Sequence, residues 1–306
     1  MNPRFTFLTC TYNRAHTLER PWRSIRAQTV RDFEWVVVDD GSTDETTALL
    51  QSIQAEADFP VRIFRQANQG KQIAWNLGVS EARGRYLVGL DSDDECVPTT
   101  IEAFGSAWDS VDVREDASTV STVVSLCRSP EGEIIGDLFP TDPFVTDSIR
   151  LRLGDGIQGE KFGCLRTDVA REFPYTPSPD TKYIPEDIIW FRIARRYKLY
   201  CINEALRIYY TDAPSLVTGV KPSRHAASNV LSNGTFLNEH SEVLTRFPKG
   251  LFMIALRYAR FSYHLNKGLG SQLAGVRPAA AKAAVLAASP AGYALYRRDV
   301  AKERKG

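Results

Sequence analysis

The sequence has few cysteines and no long apolar segment. Its five cysteines are dispersed over 306 residues without a Cys-x-x-Cys pair, which argues against a disulfide framework and fits a reducing cytoplasm. A spanning helix needs about 20 apolar residues, whereas the uncharged stretch 283–296 is short, alanine-rich and interrupted by Pro290. The first residues also lack the apolar core of a secretory signal. We therefore expect a cytoplasmic protein without a transmembrane helix.

Net charge is nearly absent, at +1, but it is unevenly distributed. Residues 249–306 hold eleven Lys and Arg and two acids, a balance of +9, while the rest of the chain holds 27 basic and 35 acidic residues, a balance of −8. Such a basic segment attracts anionic partners, including a membrane surface; the alternative is a solvated helical tail. For the apolar helix predicted over 251–265, packing on the protein body is the alternative to a membrane interface. Binding to nucleic acid is disfavoured, since no basic motif is interleaved with aromatic residues.

Hydrophobic content of 43% and charged content of 25% indicate a globular protein and exclude disorder, collagen and coiled coil. Apolar, β-branched runs predict strands at Phe5–Thr11, Glu34–Val38, Val61–Arg65 and Tyr86–Leu90. Helical segments follow each of them, two with apparent capping boxes at Ser42/Glu45 and Thr99/Glu102. This alternation predicts an α/β fold with a doubly wound, mostly parallel sheet. Further strands are predicted at 120–128, 133–137, 162–166 and 200–210.

Two acidic clusters follow predicted strands, at Asp39-Asp40 and at Asp91-Ser92-Asp93-Asp94. Ligands bind beyond the carboxyl ends of parallel strands, so both clusters should face one crevice. Carboxylates of an Asp-x-Asp triplet can hold a hard divalent cation, although such triplets also occur as loop caps. Asp39 can accept a uracil imide N–H or contact ribose; the alternative is an Asx turn at Asp40-Gly41, and the two are compatible.

Two further loops carry candidate chemistry. Asn68-Gln69-Gly70-Lys71 precedes a helix, where a glycine turn and a lysine suit an anion; a plain polar loop is the alternative. Pro185-Glu186-Asp187 also precedes a helix. A carboxylate there can be a general base or a helix cap favoured by the dipole.

Taken together, these segments resemble the family 2 inverting glycosyltransferases of GT-A fold over residues 4–212. The motifs that carry the resemblance are Thr11-Tyr12-Asn13-Arg14, Val38-Asp39-Asp40-Gly41-Ser42-Thr43-Asp44, Asn68-x-Gly70, Asn76-x-Gly78, Gly84-x-Tyr86, Leu90-Asp91-Ser92-Asp93-Asp94 and Glu186-Asp187. One departure is Trp75, where relatives often have arginine, which weakens any donor-sugar assignment through that helix.

The resemblance implies a nucleotide-sugar donor, usually a UDP-sugar, with Mn²⁺ or Mg²⁺ as cofactor. By motif position the nucleotide would be held by Thr11, Tyr12, Arg14, Asp39, Lys71, Asp91 and Ser92. Within this set, Thr11 and Asp39 would hold the nucleobase and ribose. Asp93 would ligate the metal, Asp187 would take the proton of the acceptor hydroxyl, and Glu186 would support Asp187 or contact the acceptor. The sequence leaves uracil, guanine and thymine open as the base.

We expect a Rossmann-like nucleotide-sugar-binding half at 1–115, an acceptor half at 116–235 and a basic helical extension at 236–306. The acceptor would be a saccharide or lipid-linked saccharide, as in polysaccharide biosynthesis, with the protein peripheral at the inner face of the plasma membrane. Two alternatives are a catalytically silent sugar-nucleotide or saccharide-binding module and a nucleotidyltransferase. The latter calls for a glycine-rich basic loop after the first strand, where the chain has Thr11–Ala15 without glycine.

Overall fold

A computed structural model describes residues 2–212 and 221–304. The chain divides into two compact units, whose described residues fall within Met1–Thr176 and Arg192–Pro214 for the first and Pro177–Phe191 and Ser215–Gly306 for the second. The predicted division at residues 115 and 235 stays a prediction. All five cysteines are free thiols, four of them buried.

The first unit is built on one mixed sheet. Within the described residues its strands are β1 Phe5–Thr11, β2 Phe33–Asp39, β3 Val61–Arg65, β4 Tyr86–Gly89, β5 Glu95–Cys96, β6 Val120–Arg128, β7 Phe144–Thr146, β8 Lys161–Arg166 and β9 Lys198–Ile208. Their order is β3-β2-β1-β4-β8-β6-β9-β5, with β7 paired to β9. The first four are parallel, as predicted, while β8 is antiparallel to both β4 and β6.

The parallel strands β1, β2 and β3 place the first part of the site because their carboxyl ends are level. Every residue of β2 is buried, the pattern of a strand covered on both faces. Its register aligns Thr11 of β1 with Asp39 of β2, and Asp39 with Arg65 of β3. Below these ends lies an aromatic core in which Tyr86 and Trp108 stack with ring centroids 4.2 Å apart. The core therefore fixes the strands that present the first acidic cluster.

Five helices belong to the described residues of the first unit: α1 Glu19–Arg26, α2 Thr46–Glu56, α3 Lys71–Glu81, α4 Thr100–Asp112 and α5 Thr167–Glu172. Shorter turns of helix lie at Ala117–Thr119 and Arg150–Gly154. The helices predicted to follow each of the four parallel strands are all present.

Both predicted capping boxes are wrong. The Ser42 hydroxyl accepts a hydrogen bond from the Asn13 N–H at 2.9 Å, so it holds the loop after β1, and α2 begins only at Thr46. Thr99 precedes α4 but makes no side-chain cap, and Glu102 accepts a hydrogen bond from the Thr29 hydroxyl at 3.2 Å. In both cases a partner distant in sequence takes the polar group that local spacing assigned to the helix start.

The strand predicted at Glu133–Asp137 is also wrong. A single bridge joins Arg128 to Ile134. Beyond it the chain turns toward another loop, where Asp137 donates its N–H to the Gln158 carbonyl at 3.1 Å and accepts the Gln158 N–H on its carboxylate at 2.9 Å. Loop-to-loop bonds thus replace a strand ladder.

The second unit is helical. It contains α6 from Asp187, which runs to Ile193, and then, among the described residues, α7 Ala226–Glu239, α8 Ser241–Leu244, α9 Pro248–His264, α10 Leu269–Ala274 and α11 Ala279–Glu303, with a short turn at Pro222–His225. The apolar face of α9, including Leu251, Ile254 and Tyr258, is buried, and α9 packs on α7 and α11. In the part of the chain that the structure describes, none of the helices combines the length and apolarity needed to cross a membrane.

Candidate functional site

Thr11, the last residue of β1, carries an unexplained polar atom. The residue is 3% exposed, and its hydroxyl has no hydrogen-bond partner among the described residues. A buried polar group without a partner costs about 1–3 kcal/mol, and such groups in folded proteins call for an explanation. Tyr12 follows directly and is 45% exposed. The end of β1 thus presents an unsatisfied hydroxyl beside an exposed aromatic ring.

Asp39, at the end of β2, is 1% exposed and already engaged. One carboxylate oxygen accepts the Ser42 N–H at 2.8 Å, and the other accepts the Thr47 hydroxyl at 3.0 Å. Arg65 Nε lies 3.6 Å from the second oxygen. The turn assigned from sequence to Asp40-Gly41 is therefore made by the Asp39 carboxylate. A contact from Asp39 to a nucleobase or ribose stays a prediction.

Asp40 organises the loop before α3. Its carboxylate accepts the N–H groups of Gln69 and Gly70, at 2.9 and 2.8 Å, and the side-chain amide of Gln66 at 2.8 Å. Gly70 has φ +99°, a conformation that favours glycine. This turn starts α3 at Lys71, whose ammonium lies 2.6 Å from Asp91 Oδ1. The loop predicted to bind an anion therefore places Lys71 beside Asp91 of the second acidic cluster.

The second cluster is organised by Arg207 of β9. Its Nη2 lies 2.7 Å from Asp91 Oδ2, and its Nε donates to Asp94 Oδ2 at 2.6 Å. Asp94 Oδ1 also accepts the Tyr210 N–H at 2.8 Å. Arg207 is 7% exposed and Asp94 1%. These contacts fix Asp94 completely and leave Asp91 shared between two cations.

Charge complementarity sets the ionisation of this cluster. Desolvation alone would raise the pKa of Asp91, but the charges of Lys71 and Arg207 outweigh it and hold that pKa well below its usual range. Desolvation would likewise lower the pKa of Arg207, and the Asp91 and Asp94 carboxylates raise it instead. Asp91 is thus a carboxylate and Arg207 a guanidinium at neutral pH.

Asp93 is paired differently from Asp91 and Asp94. Its side chain is 24% exposed, and Nη2 of Arg14 lies 3.5 Å from Asp93 Oδ2. Ser92, between Asp91 and Asp93, is buried. The first unit thus brings Arg14 to Asp93 and Lys71 to Asp91, and it aligns Thr11 with Asp39.

Among the described residues, no group of three or more His, Cys, Asp or Glu side chains could hold a metal ion. Asp94 is enclosed and Asp91 is paired twice, so Asp93 is the carboxylate best placed to ligate. Mg²⁺-type sites commonly use one or two carboxylates together with water and substrate phosphates. The residues therefore fit a hard cation that is bound together with a diphosphate.

Glu186 and Asp187 lie in the second unit. Asp187 is the first residue of α6 and is partly buried, whereas Glu186 is exposed. The Glu186 carbonyl accepts the N–H of Ile189 at 3.0 Å, within the first turn. Their position agrees with the helix-start placement predicted from sequence. The roles of base and supporting residue stay predictions.

Arg207 was missed by the sequence analysis. Its contact to Asp94 joins residues 113 apart in sequence, and nothing local marks it. The available signal was indirect: three aspartates after a buried strand require a compensating cation. Asn76, by contrast, belongs to a family motif, and its amide makes two hydrogen bonds with the Tyr175 backbone, at 2.7 and 2.9 Å.

The fold agrees with solved glycosyltransferases. The chain superposes on TarS 1–349 of S. aureus in complex with UDP-GlcNAc with a TM-score of 0.69 at 14% identity, covering 96% of this chain and 92% of the other. It superposes on the mannosyltransferase PcManGT of Pyrobaculum calidifontis, in complex with GDP-Man and Mn²⁺, with a TM-score of 0.59 at 19% identity, covering 98% and 83%. The architecture is the GT-A fold.

Residues 6–113 match the family model described as glycosyl transferase family 2. An uncharacterized glycosyltransferase of Nostoc sp. is 34% identical over 110 residues, 36% of this chain and 34% of that protein. A GalNAc(5)-diNAcBac-PP-undecaprenol beta-1,3-glucosyltransferase of Campylobacter jejuni is 35% identical over 95 residues, 30% of each chain. The match thus spans about a third of the length of these relatives. The similarity to glycosyl transferase family 2 is thus carried by residues 6–113, about a third of the chain.

Proposed function

We propose that the protein transfers a sugar from a nucleotide-sugar donor, a UDP-sugar, to a saccharide or lipid-linked saccharide acceptor. The transfer is metal-dependent and proceeds by single displacement with inversion. The observation that carries this proposal is the assembly at the carboxyl ends of β1, β2 and β4. There Thr11, whose buried hydroxyl has no hydrogen-bond partner in the described part of the chain, is aligned with Asp39, and Asp93 remains partly exposed beside a fixed carboxylate network.

The cations of the cluster suit a diphosphate. Lys71 begins α3, where the helix dipole also favours an anion, and Arg14 is already beside Asp93. On donor binding, both cations would exchange a carboxylate partner for phosphate oxygens. Thr11 would satisfy its hydroxyl on the nucleobase or ribose, with Tyr12, Asp39 and Ser92 lining the same pocket. Mn²⁺ or Mg²⁺ at Asp93 would stabilise negative charge on the departing diphosphate.

The acceptor half of the reaction is assigned to Asp187. Its carboxylate takes the proton of an acceptor hydroxyl, whose oxygen forms a bond to the anomeric carbon as the bond to the diphosphate breaks. The nucleoside diphosphate leaves from the opposite face, so the configuration inverts. Glu186 supports Asp187 or contacts the acceptor.

Relatives support the substrate classes. The Campylobacter relative is named for a PP-undecaprenol-linked acceptor, and a Bacillus subtilis relative, 24% identical over 209 residues, is named a putative teichuronic acid biosynthesis glycosyltransferase. A lipid-linked acceptor would place the enzyme at the inner face of the plasma membrane.

Donor preference can be tested by thermal unfolding with UDP-, GDP- and dTDP-sugars, with and without Mn²⁺. A ligand at 100 times its Kd stabilises the native state by about 2.7 kcal/mol. We expect a UDP-sugar to rank first, with a larger effect when Mn²⁺ is present, and we expect a saccharide acceptor to elicit release of the nucleoside diphosphate. Donor binding without product with any acceptor would indicate a silent module. Preference for a nucleoside triphosphate with pyrophosphate release would indicate a nucleotidyltransferase.

A further inference from the structure

The outward face of α11 combines an apolar centre with basic ends. We define this face by Lys282, Leu286, Pro290, Tyr293, Arg297 and Arg298. The first five are spaced by four, four, three and four residues, which aligns them along one side of a helix. Leu286 is 55% exposed and Tyr293 44%. Between residues 283 and 294 the sequence of α11 is uncharged, a length of about 18 Å at 1.5 Å per residue.

The opposite side of α11 packs within the second unit, and on the outward face the ring of Tyr293 also contacts Tyr263 of α9, with ring centroids 5.1 Å apart. Ala281, Val285 and Ala288 are buried on the opposite side. Gly292 allows α11 to approach α9 closely, since a Cβ at this position would lie 2.8 Å from the Ala259 Cβ. The exposed parts of Leu286 and Tyr293 are therefore left to solvent or to a partner.

The acidic and basic side chains of α11 differ in their exposure and in their contacts. Its two acids are engaged: Asp299 accepts hydrogen bonds from Arg260 at 2.7 Å and lies 3.1 Å from His264 Nε2, and Glu303 accepts the Ser223 N–H at 3.0 Å. The exposed charged side chains on the described part of α11 are all basic: Lys282, Arg297, Arg298 and Lys302. The outward face thus has a positive charge that the helix itself does not neutralise.

We propose that this face docks in plane on an anionic lipid bilayer. An interfacial helix places an apolar side at the headgroup boundary and basic residues among anionic headgroups, and Leu286 and Tyr293 between Lys282 and Arg297 match that order. Arg297 lies along Tyr293, with its guanidinium 5.9 Å from the ring centroid, so its stem and the ring can enter together.

Other occupants fit less well. A second copy of the same face would bring like charges together, which is unfavourable. A nucleic acid would pair with the basic ends but would leave the uncharged centre without a partner. The headgroup region of an anionic bilayer offers both negative charge for the basic ends and an apolar boundary for the uncharged centre. This docking does not depend on the proposed reaction.

The test is co-sedimentation of the full chain with phosphatidylcholine vesicles containing 30% phosphatidylglycerol, compared with pure phosphatidylcholine. We expect binding to the anionic vesicles to be at least about tenfold tighter, since each basic residue near the surface adds to the attraction. Leu286→Ser with Tyr293→Ser should weaken binding about fivefold or more through lost apolar burial. Arg297→Glu with Arg298→Glu should weaken it at least about tenfold.

A matched control is Arg246→Glu with Lys249→Glu, which makes the same change of charge on exposed residues of the same unit outside α11. It should retain binding within about threefold. Far-UV circular dichroism and thermal unfolding establish that each variant is folded. The proposal is overturned if the wild type does not pellet, if the control loses as much as the α11 variants, or if Leu286 and Tyr293 are dispensable while duplex DNA displaces the protein. No donor or acceptor is present, so the result is independent of the proposed function.

Discussion

Two aspartate–arginine pairs with a buried aspartate, one in each unit, differ in what surrounds them. Asp94 pairs with Arg207 in the first unit, and Asp299 pairs with Arg260 in the second. We call the second cluster closed, because its third member, His264, contacts the same residue, Asp299. This cluster joins α9 to α11. We call the first cluster open, because Arg207 also pairs with Asp91, and Asp91 in turn pairs with Lys71.

The difference separates a structural pair from a preorganised site. Burying charges is costly, and a buried ion pair by itself is weak evidence for stability. Along Asp91, Asp93 and Asp94 the side chains are 32%, 24% and 1% exposed. Asp94, which is fully fixed, thus holds the arginine that positions Asp91, while Asp91 and Asp93 both stay partly exposed. The Asp299 cluster has no such gradient, and its effect is to hold two helices together.

The largest expected effect is on the rate of the chemical step. Asp187→Ala should lower turnover about 10²–10⁴-fold, the usual contribution of a general base, because no other group would take the acceptor proton. Donor affinity, measured by calorimetry, should stay within about twofold. Near-normal turnover of this variant would show that the base is elsewhere.

Arg207→Met tests the open cluster. It leaves Asp94 buried without its cation, so the free energy of unfolding in urea should fall by about 3–5 kcal/mol. Adding Asp94→Asn to this variant should restore part of that loss, because the uncompensated charge is removed. A loss below about 1 kcal/mol for the single variant would mean that the pair does not organise the cluster.

Asp299→Asn tests the closed cluster and should cost about 1–3 kcal/mol of stability at pH 7. Burial would raise the pKa of Asp299, but hydrogen bonds from Arg260 and His264 lower it. A lowered folded pKa contributes stability above the unfolded value of about 3.9 that is lost as pH falls through the folded value. Between pH 5 and 2.5 the free energy of unfolding should therefore fall more steeply for the wild type than for Asp299→Asn. The two proteins should have equal donor affinity at pH 7. Parallel pH profiles would contradict this assignment.

Thr11→Val should have the smallest effect, and it should separate ligand binding from stability. Removing a buried hydroxyl without a partner leaves the free protein equally stable or slightly more so. The affinity for the donor nucleotide should fall about 3–10-fold, as expected for one lost hydrogen bond. Unchanged affinity would mean that the hydroxyl faces no ligand.

Strands were predictable where local composition decides them. β1, β3 and β6 have the predicted ends, since apolar and β-branched runs bounded by polar residues have few alternatives. Capping was not predictable, because Ser42 is recruited by Asn13 across 29 residues. The acidic residues of the site were visible as strand-end clusters, yet the cation that orders them was not, since Arg207 reaches them only through the pairing of distant strands.

The most direct test of the account is the coupling between Mn²⁺ and nucleoside diphosphate binding, measured by isothermal titration calorimetry in the wild type and in Asp93→Ala. The diphosphate is that of the donor ranked first by thermal unfolding. We predict that Mn²⁺ raises its affinity at least about tenfold in the wild type, a coupling of about 1.4 kcal/mol. In Asp93→Ala this gain should vanish, with the metal-free affinity unchanged within about twofold. A variant that kept the full Mn²⁺-dependent gain would contradict the assignment of Asp93 as the metal ligand.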